Sequence, residues 1–222
     1  MMMTSYHGGD RRPIASRDRK VFQRMAHGLA VRGVSANVIS VTGMVCGMIA
    51  GAALIATSHL TPAWIFWIAA ACCMQLRLLA NMFDGMVAIE RGTASPVGEL
   101  YNEVPDRFAD VAILVGAGYA LGGDSTLGWA AACVAVVVAY VRAAGVVAGA
   151  PNVFCGPMAK PHRMFVMTVA ALYAGLAPAA WQPVRDGHGV VSFALAVVII
   201  LGVITIVRRL NRMSRALRQD HS

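Results

Sequence analysis

The twenty residues VISVTGMVCGMIAGAALIAT (38–57) contain no charged side chain. A helix needs about 20 apolar residues to cross the hydrocarbon core of a bilayer, so this run predicts a transmembrane helix. Five more apolar segments follow along the chain. The predicted spans are 38–57, 62–88, 99–121, 127–149, 162–182 and 189–207.

The composition favours a membrane domain over a soluble one. Of the 222 residues, 58% are hydrophobic and only 14% are charged, which is too apolar for an ordinary soluble domain of this length. We therefore expect an all-α integral membrane protein, a six-transmembrane-helix bundle that occupies 35–210.

Basic residues set the expected orientation, because loops rich in Lys and Arg stay in the cytoplasm during insertion. They are dense before the first span and after the last one, and Arg91, Lys160 and Arg163 fall on the same side. Only Arg185 falls on the other side. Both termini are therefore expected in the cytoplasm, which requires an even number of spans.

The two ends of the chain differ from its centre. Residues 1–15 are polar and predict a flexible terminus, and 211–222 predict a basic cytoplasmic tail. Over 16–34 the pattern predicts an amphipathic helix in the membrane interface; an ordinary helix packed on the end of the bundle is compatible with it. Its apolar face holds Val21, Phe22, Met25 and Leu29, and its basic face holds Arg17, Lys20, Arg24 and His27.

Small residues recur in the first span. Gly43, Gly47 and Gly51 are four residues apart, a spacing that lets a neighbouring helix backbone approach closely. We interpret this stripe as packing rather than chemistry.

Two classes of function are disfavoured. The net charge of +8 comes from basic residues that flank spans, without a nucleic-acid motif, so attraction to anionic membrane lipids explains it better than nucleic acid. The five cysteines show no C-x-x-C spacing, which indicates neither a disulfide framework nor a zinc site.

Six of the eleven acidic residues fall in NMFDGMVAIERGTASPVGELYNEVPDRFAD (81–110). Carboxylates beside a bilayer are costly unless they are paired or bound to metal. Asn81 and Asp84 share a face of the second span, and a second face opens the third span. Oxygen ligands on two helices suit Mg²⁺ or Mn²⁺, which usually also hold substrate phosphate. The second face carries Glu99, Asn102, Glu103, Asp106 and Asp110.

Basic side chains lie at the same level. Arg77, Arg107 and Arg142 fall inside predicted spans, where each needs a partner. That partner is either one of the carboxylates or a substrate phosphate, which Arg binds through its planar fork. Lys160, His162 and Arg163 precede the fifth span, where phosphate binding and positive-inside topology both account for them.

The acidic stretch resembles the signature of the CDP-alcohol phosphatidyltransferases, D-x2-D-G-x2-A-R-x8-G-x3-D-x3-D. Five of its eight positions match at the full spacing. The resemblance extends to the six-helix plan, the amphipathic helix and the basic loop before span five. The signature positions are Asn81, Asp84, Gly85, Ala88, Ile89, Gly98, Asn102 and Asp106.

The resemblance implies transfer of a phospho-alcohol group from a CDP-alcohol to an acceptor alcohol, with release of CMP, and CDP-diacylglycerol is the expected donor. It implies that Asp84, Asp106, Asn81 and Asn102 bind Mg²⁺ or Mn²⁺, and that Asp106 is the catalytic base. Gly85, Ala88 and Gly98 would contact the CDP moiety. Arg142, Lys160, Arg163 and Arg107 are expected to bind the acceptor or its phosphate. The resemblance also implies a homodimer in a bacterial inner (plasma) membrane, with the active site on the cytoplasmic side.

The departures from the signature bear on the metal. Asn81 and Asn102 replace two aspartates, and Ile89 replaces the signature arginine. A neutral amide oxygen can still bind a cation, but two negative charges are lost. Glu103 and Asp110 are candidates to restore them, and Glu99 lies on the same face.

Two other functions are compatible with these residues. A descendant of the family that binds lipid or nucleotide without catalysis would keep the fold and the cluster. A small cation-coupled transporter would use the acidic face for ion passage. Release of CMP from a CDP-lipid separates the enzyme from both.

Overall fold

The structure is a computed structural model that describes residues 20–93 and 96–219, without the side chains of 96, 97 and 99–101. Within these ranges it is all-helical, as predicted, and the only β-structure is an isolated bridge between Arg185 and His188. The expected flexible terminus at 1–15 lies outside the described residues. The helices are α1 Lys20–Val31, α2 Ala36–Ala56, α3 Ala63–Glu90, α4 Pro96–Gly118, α5 Ser125–Val147, α6 Lys160–Leu176 and α7 Val190–Gln219, with a short 3₁₀ turn at Ala179–Trp181.

Local sequence accounts for several helix ends. The Ser35 hydroxyl accepts a hydrogen bond from the Val38 amide at 3.3 Å and caps α2, and Asp124 caps α5 through the Leu127 amide at 2.9 Å. Such side chains satisfy the amides that a helix leaves free at its start. The predicted segment 162–182 is wrong at its end, because α6 stops at Leu176 and Pro178 disfavours helix in the residue before it.

The helices pack in a closed order around the bundle. α2 lies against both α3 and α4, whereas the backbones of α3 and α4 stay apart and these helices meet through side chains. α4 then packs on α5, α5 on α7, α7 on α6, and α6 back on α3. The two halves of the signature therefore stand on helices that are separated by α2.

The glycine stripe of α2 allows this close packing, as predicted. A Cβ atom at Gly47 would lie 2.5 Å from the Cβ of Ala109 on α4, and one at Gly43 would lie 2.9 Å from the Cβ of Ala80 on α3. At Gly51 it would overlap the carbonyl of Ala112. α2 is thus wedged between its neighbours at backbone distance.

We expect Gly51→Ala to lower the free energy of unfolding by about 1–3 kcal/mol, the usual cost of overpacking a tight contact. Thermal or denaturant unfolding of the purified protein in detergent measures this loss. The matched control is Gly28→Ala on α1, where an added Cβ meets nothing within 4 Å. Equal stability of the two variants would contradict the close approach of α2 to α4.

Four helices of the described part are long and apolar enough to cross a membrane: α2, α3, α5 and α7. α6 has only 17 residues, the lower end of the length that a crossing requires. α4 has 23 residues but carries the charged cluster.

α1 packs on the end of α3 instead of standing free. Phe22 contacts Phe83 with ring centroids 6.1 Å apart, and His27 Nδ1 lies 2.7 Å from Glu90 Oε1. Of the predicted apolar face, Val21 and Met25 remain exposed. α1 therefore has a packed side and an exposed apolar side; residues 16–19 of the predicted helix are not described.

The predicted boundary at 210/211 has no counterpart in α7, which continues without a break to Gln219. Much of the basic tail is therefore helical, and 220–222 lie outside the described residues.

Candidate active site

Lys160 joins the two halves of the signature. Its ammonium group donates to Asn81 Oδ1 on α3 at 2.5 Å and also contacts Asp106 Oδ2 on α4. Lys160 is the first residue of α6, where Pro161 follows in the first turn, a position that proline tolerates because it lacks only an amide with no helical partner. Three helices thus converge on one point.

Asp84 lies one turn beyond Asn81 and is buried. Its carboxylate accepts hydrogen bonds from the Ser40 hydroxyl of α2 at 2.8 Å and from the Gly85 amide at 2.5 Å. Asn81, one turn from Asp84, and Asp106 both contact Lys160, so Asp84 and Asp106 lie on the same side of the bundle.

Asp110 has both carboxylate oxygens engaged by buried arginines. Arg77 Nη2 donates to Oδ1 at 2.5 Å, and Arg163 Nη2 donates to Oδ2 at 2.7 Å. Arg77 also donates to the Asp106 carbonyl at 3.1 Å, and Arg163 to the Met158 carbonyl at 3.1 Å. Asp110 therefore ties α3, α4 and α6 together.

Glu103 plays a similar part nearer the surface. Arg107 Nη2 donates to its Oε2 at 2.8 Å, and Arg142 of α5 contacts its Oε1. The Arg142 guanidinium also lies over the ring of Phe154, 5.3 Å from the centroid, a cation–π geometry. Each arginine predicted within a span thus contacts a carboxylate.

The cluster is rich in positive charge. Among the side chains that the structure describes there, five cations face four carboxylates. The cations lie where a phosphate would experience an attractive potential. Nε and Nη1 of Arg77 and Nε of Arg163 are buried without a hydrogen-bond partner among the described residues. The cations are Arg77, Arg107, Arg142, Lys160 and Arg163, and the carboxylates are Asp84, Glu103, Asp106 and Asp110.

The donor set fits a hard divalent cation only in part. Asn102 Oδ1 is buried and has no hydrogen-bond partner among the described residues, as expected for an oxygen that serves as a cation ligand. Within the described part, however, no three His, Cys, Asp or Glu residues are grouped so as to hold a metal ion. Apart from the carboxylates held by arginines, the oxygen donors of the signature are those of Asp84, Asn102 and Asp106, together with Asn81. The side chain of Glu99 lies outside the described residues.

The residues expected to contact CDP lie on both helices of the signature. Gly85 and Ala88 are buried on α3, and Gly98 is half-buried in the first turn of α4. Ile89, at the position of the signature arginine, is exposed. Neighbouring Arg91 instead donates to the carbonyls of Gly33 and Val34 at 3.1 and 3.0 Å.

Sequence reasoning missed the contacts of two buried polar residues. Ser40 was not distinguished from other hydroxyls in α2, because such a group usually bonds its own helix, as Ser40 also does with the Ala36 carbonyl. Arg209 was counted with the basic end of the chain. It is buried, and it donates to the carbonyls of Val138 and Cys155 at 2.8 and 3.0 Å.

Comparison with known sequences places residues 33–207 within the model of the CDP-alcohol phosphatidyltransferase family. The phosphatidylinositol phosphate synthase of Streptomyces avermitilis is 29% identical over 202 residues, which cover 88% of this chain and 79% of that protein. The synthase of Mycobacteroides abscessus is 23% identical over 198 residues, with 86% and 83% covered.

Solved structures share the fold. A crystal structure of Mycobacterium tuberculosis phosphatidylinositol phosphate synthase with CDP-DAG bound matches with a TM-score of 0.69 at 22% identity, covering 88% of this chain and 94% of that one. The same enzyme in complex with manganese and citrate gives 0.69 at 20% identity, with 86% and 88% covered. The helical fold, the four apolar helices and the match over 33–207 establish that this chain is an integral membrane protein of the CDP-alcohol phosphatidyltransferase family.

Proposed function

We propose that this protein transfers a phosphatidyl group from CDP-diacylglycerol to the hydroxyl of an acceptor alcohol, with release of CMP, in phospholipid synthesis. The contact of Lys160 with both Asn81 and Asp106 carries this proposal, because it unites the two half-signatures in one site. The neighbour with CDP-DAG bound supports the choice of donor.

Asp106 is the proposed general base. It is 14% exposed, whereas Asp84 and Asp110 are almost wholly buried, and both oxygens of Glu103 are held by arginines. Asp106 takes the hydroxyl proton as the acceptor oxygen forms a bond to the phosphorus that carries the lipid. The bond from that phosphorus to the oxygen of CMP breaks, and CMP leaves with the electron pair.

Asp84, Asn102 and Asp106 are the residues that would hold Mg²⁺ or Mn²⁺, with Asn81 beside them. An ion held there would neutralise pyrophosphate oxygens and stabilise the charge that develops on CMP. A manganese complex of a protein with the same fold supports this choice. We assign Asp110 and Glu103 to the ion-pair network, since their oxygens are already occupied by arginines.

Gly85, Ala88 and Gly98 are proposed to receive the CDP moiety. Their small side chains let a nucleotide approach the helix backbone closely. They belong to the two helices whose signature residues meet at Lys160, so a nucleotide there would have its pyrophosphate next to the carboxylates.

The acceptor is proposed to carry a phosphate of its own, as the product names of the two curated relatives suggest. The excess of cations among the described side chains favours such an acceptor over a neutral alcohol. Arg107, Arg142, Lys160 and Arg163 are the proposed phosphate-binding groups. A screen of inositol phosphate, glycerol 3-phosphate and free inositol with CDP-diacylglycerol separates these classes.

We further propose that α2–α7 form six spans in a bacterial inner membrane, with both termini and the site on the cytoplasmic side and α1 in the interface. The alternation of helix ends and the basic flanks support this arrangement. Cysteine accessibility scanning at the termini and at Arg185 measures this topology.

A homodimer is proposed as the working state, and its mass is measured by light scattering in detergent.

The direct test is CMP release by the purified protein from CDP-diacylglycerol, with inositol phosphate as acceptor and Mn²⁺ present. We expect CMP and a phosphorylated lipid product in equal amounts. Binding of the CDP-lipid without release of CMP, whichever acceptor is present, would instead favour a non-catalytic descendant. Cation flux into vesicles would favour a transporter.

Asp84→Asn is expected to shift the Mn²⁺ dependence of CMP release to at least about tenfold higher concentration, because a charged ligand becomes neutral. The titration uses Asp186→Asn, an exposed loop aspartate, as its control. An unchanged half-saturating Mn²⁺ concentration would remove Asp84 from the proposed ligands.

A further inference from the structure

Lys160 lies where a cation would be expected in this site. Its ammonium contacts Asn81 Oδ1 and Asp106 Oδ2, which occupy the first and last acidic positions of the signature. Oxygen atoms from two helices therefore converge on a positively charged nitrogen supplied by a third helix. An ammonium has three N–H donors, and these contacts use two of them.

The charges of the site agree with this placement. A site with four aspartates carries four negative charges, which two divalent ions balance. Here the signature keeps two carboxylates, Asp84 and Asp106, and Lys160 offsets one of their charges. A single divalent ion already makes the sum of these charges positive, which opposes the binding of a second one.

The surroundings add to that repulsion. Arg77 Nη2 lies 3.5 Å from Asp106 Oδ1, and Arg107 Nη2 lies 4.0 Å from Asp106 Oδ2. Arg77 is almost wholly buried, so water does not screen its charge. Asp106 is thus faced by three cationic side chains.

We propose that Lys160 is a built-in replacement for a divalent cation, so that the site binds one Mg²⁺ or Mn²⁺ per chain. The replacements of aspartate at Asn81 and Asn102 and the lysine at 160 are then parts of one rearrangement. The remaining ion takes Asp84, Asn102 and Asp106 as ligands. The third N–H of Lys160 is available to a phosphate oxygen, as a metal would be. This inference rests on the proposed function, because it treats the cluster as the metal and phosphate centre.

The experiment counts Mn²⁺ bound to the purified wild-type protein from the loss of the EPR signal of free Mn²⁺. We expect one ion per chain. The double variant Lys160→Met, Asn81→Asp removes the ammonium and restores a carboxylate, and we expect it to bind two. Lys160→Met alone is expected to bind its ion at least tenfold more tightly than wild type.

Two controls isolate the charge at position 160. Lys160→Arg keeps the charge and should keep one ion per chain. Lys20→Met makes the same substitution at the other lysine of the chain, which is exposed on α1, and should leave binding unchanged. The wild-type count needs no variant, so it tests the inference even where the double variant fails to fold.

Two ions or none on wild type would overturn the inference, as would a folded double variant that binds only one. CMP release by the same preparation is measured separately. Release of CMP with two ions bound overturns the role of Lys160 but leaves the proposed function intact. One ion bound without CMP release overturns the proposed function and leaves the cation count standing.

Discussion

Asp106→Asn is expected to lower the turnover number for CMP release by about 10²–10⁴-fold, the usual contribution of a general base. The amide cannot take a proton, but it can keep the hydrogen bond from Lys160. The variant should therefore fold like wild type and still bind CDP-diacylglycerol. Turnover is measured at saturating donor and acceptor.

The matched control is Asp186→Asn, the same chemical change at an exposed loop residue far along the chain, which should keep full turnover. A Mn²⁺ titration separates the two roles of Asp106. Recovery of turnover in Asp106→Asn at high Mn²⁺ would show that the residue serves as a ligand alone. Wild-type turnover at ordinary Mn²⁺ would remove it from the mechanism.

Asp110→Asn is expected to have the largest effect on stability, a loss of about 3–5 kcal/mol in the free energy of unfolding. Removal of one partner from a buried ion pair leaves an uncompensated charge, and here two buried arginines lose the same carboxylate. Arg77 and Arg163 would face each other without an anion between them. Denaturant unfolding in detergent, followed by circular dichroism, measures the loss.

Glu90→Gln is the control, because its pair with His27 is exposed and exposed pairs contribute at most about 1 kcal/mol. We expect its stability to stay close to that of wild type. If Asp110→Asn unfolds at the same denaturant concentration as Glu90→Gln, the buried triad does not stabilise the bundle as the contacts indicate.

The apolar segments predicted most of the fold, because the hydrocarbon core imposes a length and a composition on each span. Gly43, Gly47 and Gly51 also predicted a close helix approach correctly. The end of α6 could not be predicted from apolar composition, because apolar residues continue past Leu176 whereas the helix does not. The continuation of α7 through 211–219 was missed. The change from apolar to basic residues indicates a change of surroundings from lipid to water, but it does not lower helix propensity.

The site was predictable where residues recur at helical spacing within one segment. Asp84 and Asp106 could be placed together through the signature, but the partner of each carboxylate depends on which helices pack side by side. Asp110 shares a face with Asp106, yet its ion-pair partners are Arg77 and Arg163, which come from other helices. Nothing in the spacing indicated that the hydroxyl on α2 would reach Asp84.

Because α2 is wedged between α3 and α4, it sets the spacing of the two helices that carry the signature residues. It lies between α3 and α4, and its Ser40 hydroxyl donates to Asp84. A single methyl group at Gly47 or Gly51 would displace α4 from α2, and with it the acidic residues that α4 carries. The distance between the carboxylates of α3 and α4 therefore depends on glycine positions in α2 that need not contact donor, acceptor or ion.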